Sequence, residues 1–225
     1  MKKEFLYIIG LLVIGIPSCK QDKRREDAIK IVAEWTGKEI KFPQGLSCTS
    51  IGKDTTCVHL YNDNFKIVLY VDSTGCTSCN LKLSEWNTIL RESDSVFTRK
   101  PEFVFFFHPK MKNGRELQFI LHQYGFRHPV FIDIENEIGK INKFPSQPEY
   151  QCFLLDKDNK VIMVGNPSLN TAIWTLYKSE INERAKRVLT TEMKRAEKFF
   201  MANERTVLPP NIPLKGRKEA AKITN

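Results

Sequence analysis

This chain has no apolar run long enough to cross a bilayer comfortably, no internal repeat at any period, and no pair of histidines at metal-ligand spacing. The first absence excludes a bundle of membrane-spanning helices, and the second leaves no repeat architecture to consider. The third leaves His59, His108, His122 and His128 without the clustered partners a metal site needs, so no metal is expected. Acidic residues are also short, with 26 Asp and Glu against 35 Lys and Arg and a formal charge of +9. Residues 181–225 hold 11 Lys/Arg and 5 Asp/Glu, a net +6, so most of the excess sits at the C-terminal end. No aromatic-rich binding module accompanies it. This end therefore reads as a solvated basic tail, and no nucleic-acid partner is expected.

What is present is enough for one packed domain with appendages: 225 residues, 41% of them hydrophobic. The N-terminus has the form of an export signal. Lys2 and Lys3 precede a charge-free run from Phe5 to Ile16, too short to span comfortably and the right size for a signal core. Ile16-Pro17-Ser18-Cys19 then resembles the lipobox of bacterial lipoproteins, which implies cleavage after Ser18 and lipid on Cys19. The expected location is lipid-anchored to a bacterial membrane, on its periplasmic or cell-surface side; a plain anchor or a soluble cleaved signal is the other reading. Export leaves Cys48, Cys57, Cys76, Cys79 and Cys152 in an oxidising compartment, where disulfides persist. Five is odd, so a monomer keeps at least one free thiol.

Residues 22–35 place Ile29, Val32 and Trp35 at helical spacing. Residues 38–42 read as a strand, and residues 46–60 as a hairpin around Gly52-Lys53-Asp54. KIVLYV at 66–71 and FVFFF at 103–107 are continuous apolar runs of the kind that fill buried strands. Between them, Asp72 to Gly75 breaks the chain and Cys76 to Arg91 carries Leu81, Leu83, Trp86 and Ile89 at helical spacing. A helix over 113–124 capped by Gly125, a short strand at 130–132, one or two helical turns at 135–142, and strands at 151–155 and 160–164 joined by Asp156-Lys157-Asp158-Asn159 follow. A helix from Thr171 to Leu189, continuing toward Phe200, and a Pro-rich disordered tail from Thr206 end the chain. Strands alternating with helices and then a strand hairpin predict an α/β fold with parallel and antiparallel pairs.

Cys76-Thr77-Ser78-Cys79 falls where the first buried strand gives way to the expected helix. At a helix start, unpaired N–H groups and the dipole stabilise a thiolate. The second cysteine, three residues on, is near enough to close a disulfide. Cys76 would attack and Cys79 would resolve. A purely structural bridge over so short a loop stabilises little, and a metal site lacks further ligands.

The stretch KIVLYVDSTGCTSCNLKLSEW resembles the active-site strand and helix of thioredoxin-like proteins, and QCFLLDKDNKVIMVGNP resembles the later hairpin of the membrane-tethered thiol–disulfide oxidoreductases among them. The resemblance covers roughly residues 40–177. It implies a thioredoxin-like three-layer α/β fold, a central mixed sheet flanked by helices, over 40–180. Signal peptide (1–18), tether and N-terminal helix (19–39), and basic helical extension with tail (181–225) complete the chain. It also marks three departures. Gly75 stands where the family carries an aromatic residue. The slot of the cis-proline facing the cysteines falls on Tyr150, with Pro148 two residues earlier; either Pro148 serves from a longer loop or there is no cis-proline. The buried acid six residues before the first cysteine is Tyr70, which leaves Asp72 as the nearest carboxylate, either accepting the Cys79 proton or capping the turn. Gly75, Pro148 and Tyr150 are thus the expected substrate-contacting positions.

Four residues outside this motif carry readings of their own. With a turn centred on Lys53, Cys48 and Cys57 would face each other and form a cross-strand disulfide, or remain two buried thiols. Cys152 reads as an inert core thiol, and His108, at the end of FVFFF, as a boundary histidine on the edge where α/β sites lie. The expected function is a tethered thiol–disulfide oxidoreductase acting on protein thiols or disulfides. It would need no cofactor but a redox partner that resets the pair. The rival is a non-enzymatic binding or redox-sensing module, and a third reading is a metal-handling domain using the same two cysteines.

Overall fold

A computed structural model describes residues 18–45, 48–50, 53–55, 64–73, 81–110 and 114–207. The chain divides into two compact units, residues 1–182 and 183–225.

The first unit is built on a seven-stranded sheet. Its centre is β3 (Lys66–Val71), flanked by β4 (Glu102–Phe107) in parallel and β6 (Cys152–Leu155) in antiparallel. β7 (Val161–Val164) pairs with β6, while β5 (Val130–Ile132) continues the parallel side beyond β4. β1 (Cys48–Ser50) and β2 (Lys53–Thr55) extend that side as an antiparallel hairpin, giving the order β2-β1-β5-β4-β3-β6-β7. A parallel strand–helix–strand unit whose first strand receives a C-terminal hairpin on its other side is the thioredoxin-like fold the resemblance implies.

Successive side chains of a strand face opposite ways, and both faces of this sheet are covered. Ile67, Leu69, Val71, Phe103, Phe105 and Phe107 meet Trp86 and Ile89 of α2 (Leu83–Val96), Leu117 and Ile120 of α3 (Arg115–Gln123), and Trp174 and Tyr177 of α5 (Thr171–Val207). Val68, Tyr70, Val104, Phe106 and Phe153 meet Trp35 of α1 (Ser18–Trp35) and Ile138 of α4 (Glu137–Asn142). This is the three-layer arrangement, and it explains why KIVLYV and FVFFF carry no polar alternation. α3 ends as expected: Gly125 adopts φ 57° and its N–H reaches the His122 carbonyl, while that of Phe126 reaches Leu121. Those two bonds and the left-handed glycine make a Schellman cap.

Four expectations are corrected. The helix expected over 76–91 is α2, and it begins at Leu83. Lys82 before it is left-handed (φ 52°, ψ 39°), which a right-handed helix cannot continue through. Second, the register of β1 and β2 sets Thr55 directly opposite Cys48, in the place expected for Cys57. Third, the strand expected at 38–42 is reduced to one bridge, Glu39 with Lys160. Finally, the helix expected from Thr171 toward Phe200 runs on to Val207, one residue past the expected start of the tail. The signal segment, Cys57, Gly75, Cys76, Cys79 and residues 208–225 lie outside the described residues. Among the described residues no helix is long and apolar enough to cross a membrane.

The second unit is described as far as Val207 and is helical throughout that range. Residues 186–201 are all exposed.

Candidate functional site

β3 delivers the chain to its carboxyl edge at Val71, where the His108 N–H donates to the Val71 carbonyl at 2.9 Å and closes the β3–β4 ladder. Asp72 follows, half-buried, and its carboxylate accepts a hydrogen bond from Gln151 Nε2 at 3.3 Å. Gln151 is itself fixed from three directions. Its Nε2 also donates to the Pro145 carbonyl at 2.9 Å, its backbone N–H reaches Pro148, and its carbonyl accepts from the Tyr70 N–H at 2.9 Å. The last bond prolongs the β3–β6 ladder by one residue, so the amide that holds Asp72 is anchored in the sheet.

Beside this edge lies a cavity of about 300 Å³. Leu69, Tyr70 and Val71 form its β3 side, and Lys82 contributes from the residue before α2. Pro148, Glu149 and Gln151 close another side from a short 3-10 turn, Pro148–Tyr150, and Asn166 and Leu169 close the last from the β7–α5 connection. Asn166 stiffens that connection. Its Oδ1 accepts from the Ser168 N–H and Oγ–H, and its own N–H donates to the Glu149 carbonyl at 2.9 Å, so two walls of the cavity are tied together.

The expected site residues distribute unevenly about this cavity. Pro148 lines it and Asp72 is held at its edge through Gln151. Tyr150 does not line it but packs against the core on the other face of the sheet. There burial, with the Glu149 carboxylate adding to it, pushes its phenol up. Among the described residues there is no cis peptide bond, which leaves Pro148 trans at the start of its turn. Cys76, Cys79 and Gly75 lie in the stretch 74–80, outside the described residues; the described chain leaves the cavity wall at Val71 and rejoins it at Lys82. α2 starts at Leu83, directly after Lys82.

The remaining cysteines separate clearly. Cys152 is a free thiol, fully buried, and burial pushes its pKa far up, with the Tyr177 hydroxyl opposing only in part. A thiol held protonated this way is a poor nucleophile. Cys48 is buried and disulfide-bonded. Tyr70, in the family's buried-acid slot, donates its hydroxyl to Asn136 Oδ1 at 2.9 Å and so supplies no carboxylate. His108 lies within 3.0 Å of the Asp133 carbonyl through Nδ1; a carbonyl only accepts, so Nδ1 donates and the ring holds two strand ends together. Lys82, Gln151 and Asn166 were not legible as site residues. They come from three distant segments, and only the strand order brings them to one cavity.

No family model matches the chain, and no curated protein matches it. Solved structures that resemble it include StoA from Bacillus subtilis, 15% identical over 59% of this chain and 99% of that one, with a TM-score of 0.42. A thioredoxin-like protein solved in solution in its oxidised form is 12% identical over 65% of this chain and 98% of that one, with a TM-score of 0.47. The peroxidoxin BcpB of Mycobacterium tuberculosis is 17% identical over 63% and 95%, at 0.43. Likenesses of this size add nothing to the strand order, and no residue role is carried over from them.

Proposed function

We propose that the chain is a thiol–disulfide oxidoreductase whose working pair is Cys76 and Cys79, tethered through lipid on Cys19 and acting on extracytoplasmic protein cysteines. The observation that carries this reading is the cavity at the carboxyl edge of β3. Val71 and Lys82, on either side of the Cys-Thr-Ser-Cys stretch, both line it. In the reducing direction the Cys76 thiolate attacks a substrate disulfide. One substrate thiolate leaves, and a mixed disulfide forms. The Cys79 thiolate then attacks Cys76 Sγ, frees the second substrate thiol and leaves the pair oxidised, so that a dithiol partner must reduce it again. In this reading Asp72 takes the Cys79 proton, and Gln151, which bonds its carboxylate, is its positioning residue.

The trapping experiment is Cys79→Ala. It should accumulate mixed disulfides through Cys76, separable under non-reducing conditions and lost on reduction. If Cys76→Ala/Cys79→Ala captures the same species, the catalytic reading fails. Acyl groups on Cys19, read by mass spectrometry of membrane-extracted protein, test the tether separately; an unmodified N-terminus elsewhere removes it.

A binding or redox-sensing module is the second reading. Gly75 and Tyr150, in place of the family's aromatic residue and proline, favour it. The reduction potential discriminates, since a static bridge lies below about −300 mV and a working pair above it.

A further inference from the structure

Residues 186–201 of the second unit are exposed without exception, yet six of them are large and apolar: Val188, Leu189, Met193, Phe199, Phe200 and Met201. The two phenylalanines are 64% and 68% exposed and stack edge to face at 6.2 Å. At about 3.6 residues per turn, Leu189, Met193, Ala196 and Phe200 recur along one line, with Val188 and Phe199 beside it. The result is an apolar stripe roughly 140° wide. Glu192 is the one acid inside it, and Met201 lies off it.

The charges are arranged around that stripe. Lys186 and Glu197 border one edge and Arg184 and Arg195 the other, while Arg187, Lys194 and Lys198 fill the far side. Over 183–201 there are six Lys/Arg and three Glu, and one of those acids, Glu183, is already paired with Arg187 at 3.2 Å. A helix–helix seam with a second copy wants a narrower stripe and opposite charges along its two borders. Here the stripe is wider than such a seam, and over 183–201 cations outnumber acids two to one. A wide apolar face with aromatic side chains and cations at both borders is what a helix needs to lie in the headgroup layer, where apolar side chains enter the acyl boundary and Lys/Arg meet lipid phosphates.

We infer that the helix over residues 183–201 is a membrane-surface element that docks on anionic lipid. This contact is separate from the thiol chemistry and from any lipid on Cys19, and stands if either fails.

The test uses the full chain and a local readout, because the apolar segment 5–16 can itself adhere to vesicles. Hydrogen exchange is followed in peptides covering 186–201, with vesicles of phosphatidylglycerol and phosphatidylethanolamine and, in parallel, of phosphatidylcholine alone. Exchange of 186–201 should slow at least about tenfold on the anionic vesicles and much less on phosphatidylcholine. Each cation near an anionic surface is worth about fivefold in affinity, so Lys186→Glu/Arg195→Glu should weaken the anionic effect at least about tenfold. Phe199→Ser/Phe200→Ser should remove it, with exchange in β3 and β4 unchanged. No slowing on anionic vesicles, or equal slowing on both kinds, overturns the inference. Slowing that needs no vesicles and grows with protein concentration also overturns it and assigns the face to a second copy.

Discussion

Trp86, Phe105 and Phe107 of the first unit are at most 1% exposed, whereas Phe199 and Phe200 of the second are nearly two-thirds exposed. The residue types are alike and the environments opposite. In the first unit each ring is boxed by others: Trp86 meets Phe105 edge-on at 5.1 Å, and Phe105 meets Phe126 in the same way at 5.2 Å. In the second the rings touch each other and water. Aromatic residues in this chain therefore serve two ends, one fold-determining and one available to a partner, and stability measurements should separate them.

The largest effect is expected at Trp86. Trp86→Ala empties a fully buried site between α2 and the sheet and should destabilise by about 3–5 kcal/mol in chemical denaturation. A loss below about 1 kcal/mol would show that the packing around it is loose. Next comes Gly139→Ala in α4. A Cβ there would collide with the Asn136 carboxamide and lie 2.7 Å from Tyr70 Oη, across the hydrogen bond those two groups make. Alanine gains about 1 kcal/mol of helix propensity, yet the overpacking should outweigh it and leave a net loss of about 1–2 kcal/mol. A more stable variant would mean the Asn136–Tyr70 contact moves freely.

Glu92 gives a smaller effect with a pH signature. Its carboxylate accepts from Lys178 Nζ at 2.6 Å and from Trp174 Nε1 at 2.8 Å, clasping α2 to α5, and these hydrogen bonds, Lys178 first, lower its pKa from 4.5. A depressed carboxylate contributes stability above its unfolded pKa and loses it as acid carries the pH through the folded value. That contribution should be fully present at neutral pH and fade below about pH 4.5. With the side chain 36% exposed, solvent screening holds it to about 0.3–1 kcal/mol. Glu92→Gln should flatten the acid limb of the stability curve by that amount, and an unchanged limb would show that the clasp contributes nothing. Smallest of all, Phe199→Ser/Phe200→Ser should leave the melting transition within about 0.5 kcal/mol of the parent. A larger loss would place those rings in a folded core after all.

The elements read most directly from sequence were those whose side chains have no choice. KIVLYV and FVFFF are buried on both faces, and an unbroken apolar run has no other reading at that length. The hairpin turn at 156–159 was legible because Asp156 Oδ1 accepts from the Asp158 and Lys160 N–H groups and Asn159 tolerates φ 59°. Helical spacing failed at the start of α2, since Leu81 is buried without being helical and periodicity cannot register the left-handed turn at Lys82. The hairpin register failed for a related reason. Cys48 and Cys57 suggested a facing pair, but the strand register sets Thr55 opposite Cys48. As for the site, the sequence offered the cysteine motif and Asp72. Gln151 and Asn166 act through backbone anchoring and carry no pattern that marks them in advance.

The outer edge of β7 is closed by the N-terminal segment. The Gly37 N–H donates to the Val161 carbonyl, Ile40 to Asn159, and Val161 in turn to Lys38, while the Asn142 side chain bonds both the N–H and the carbonyl of Lys41. These contacts join residues more than a hundred positions apart, and they set an order of events during synthesis. A chain that emerges N-terminus first holds residues 37–41 ready long before their partners exist. The parallel half of the sheet can assemble early, but β3 keeps one side open until β6 arrives, and the rim beyond β7 can be sealed only when residue 161 is free. Until that late moment the growing chain carries an unpaired strand border, and the speed with which its last third follows the first determines how long that border stays open to neighbouring chains.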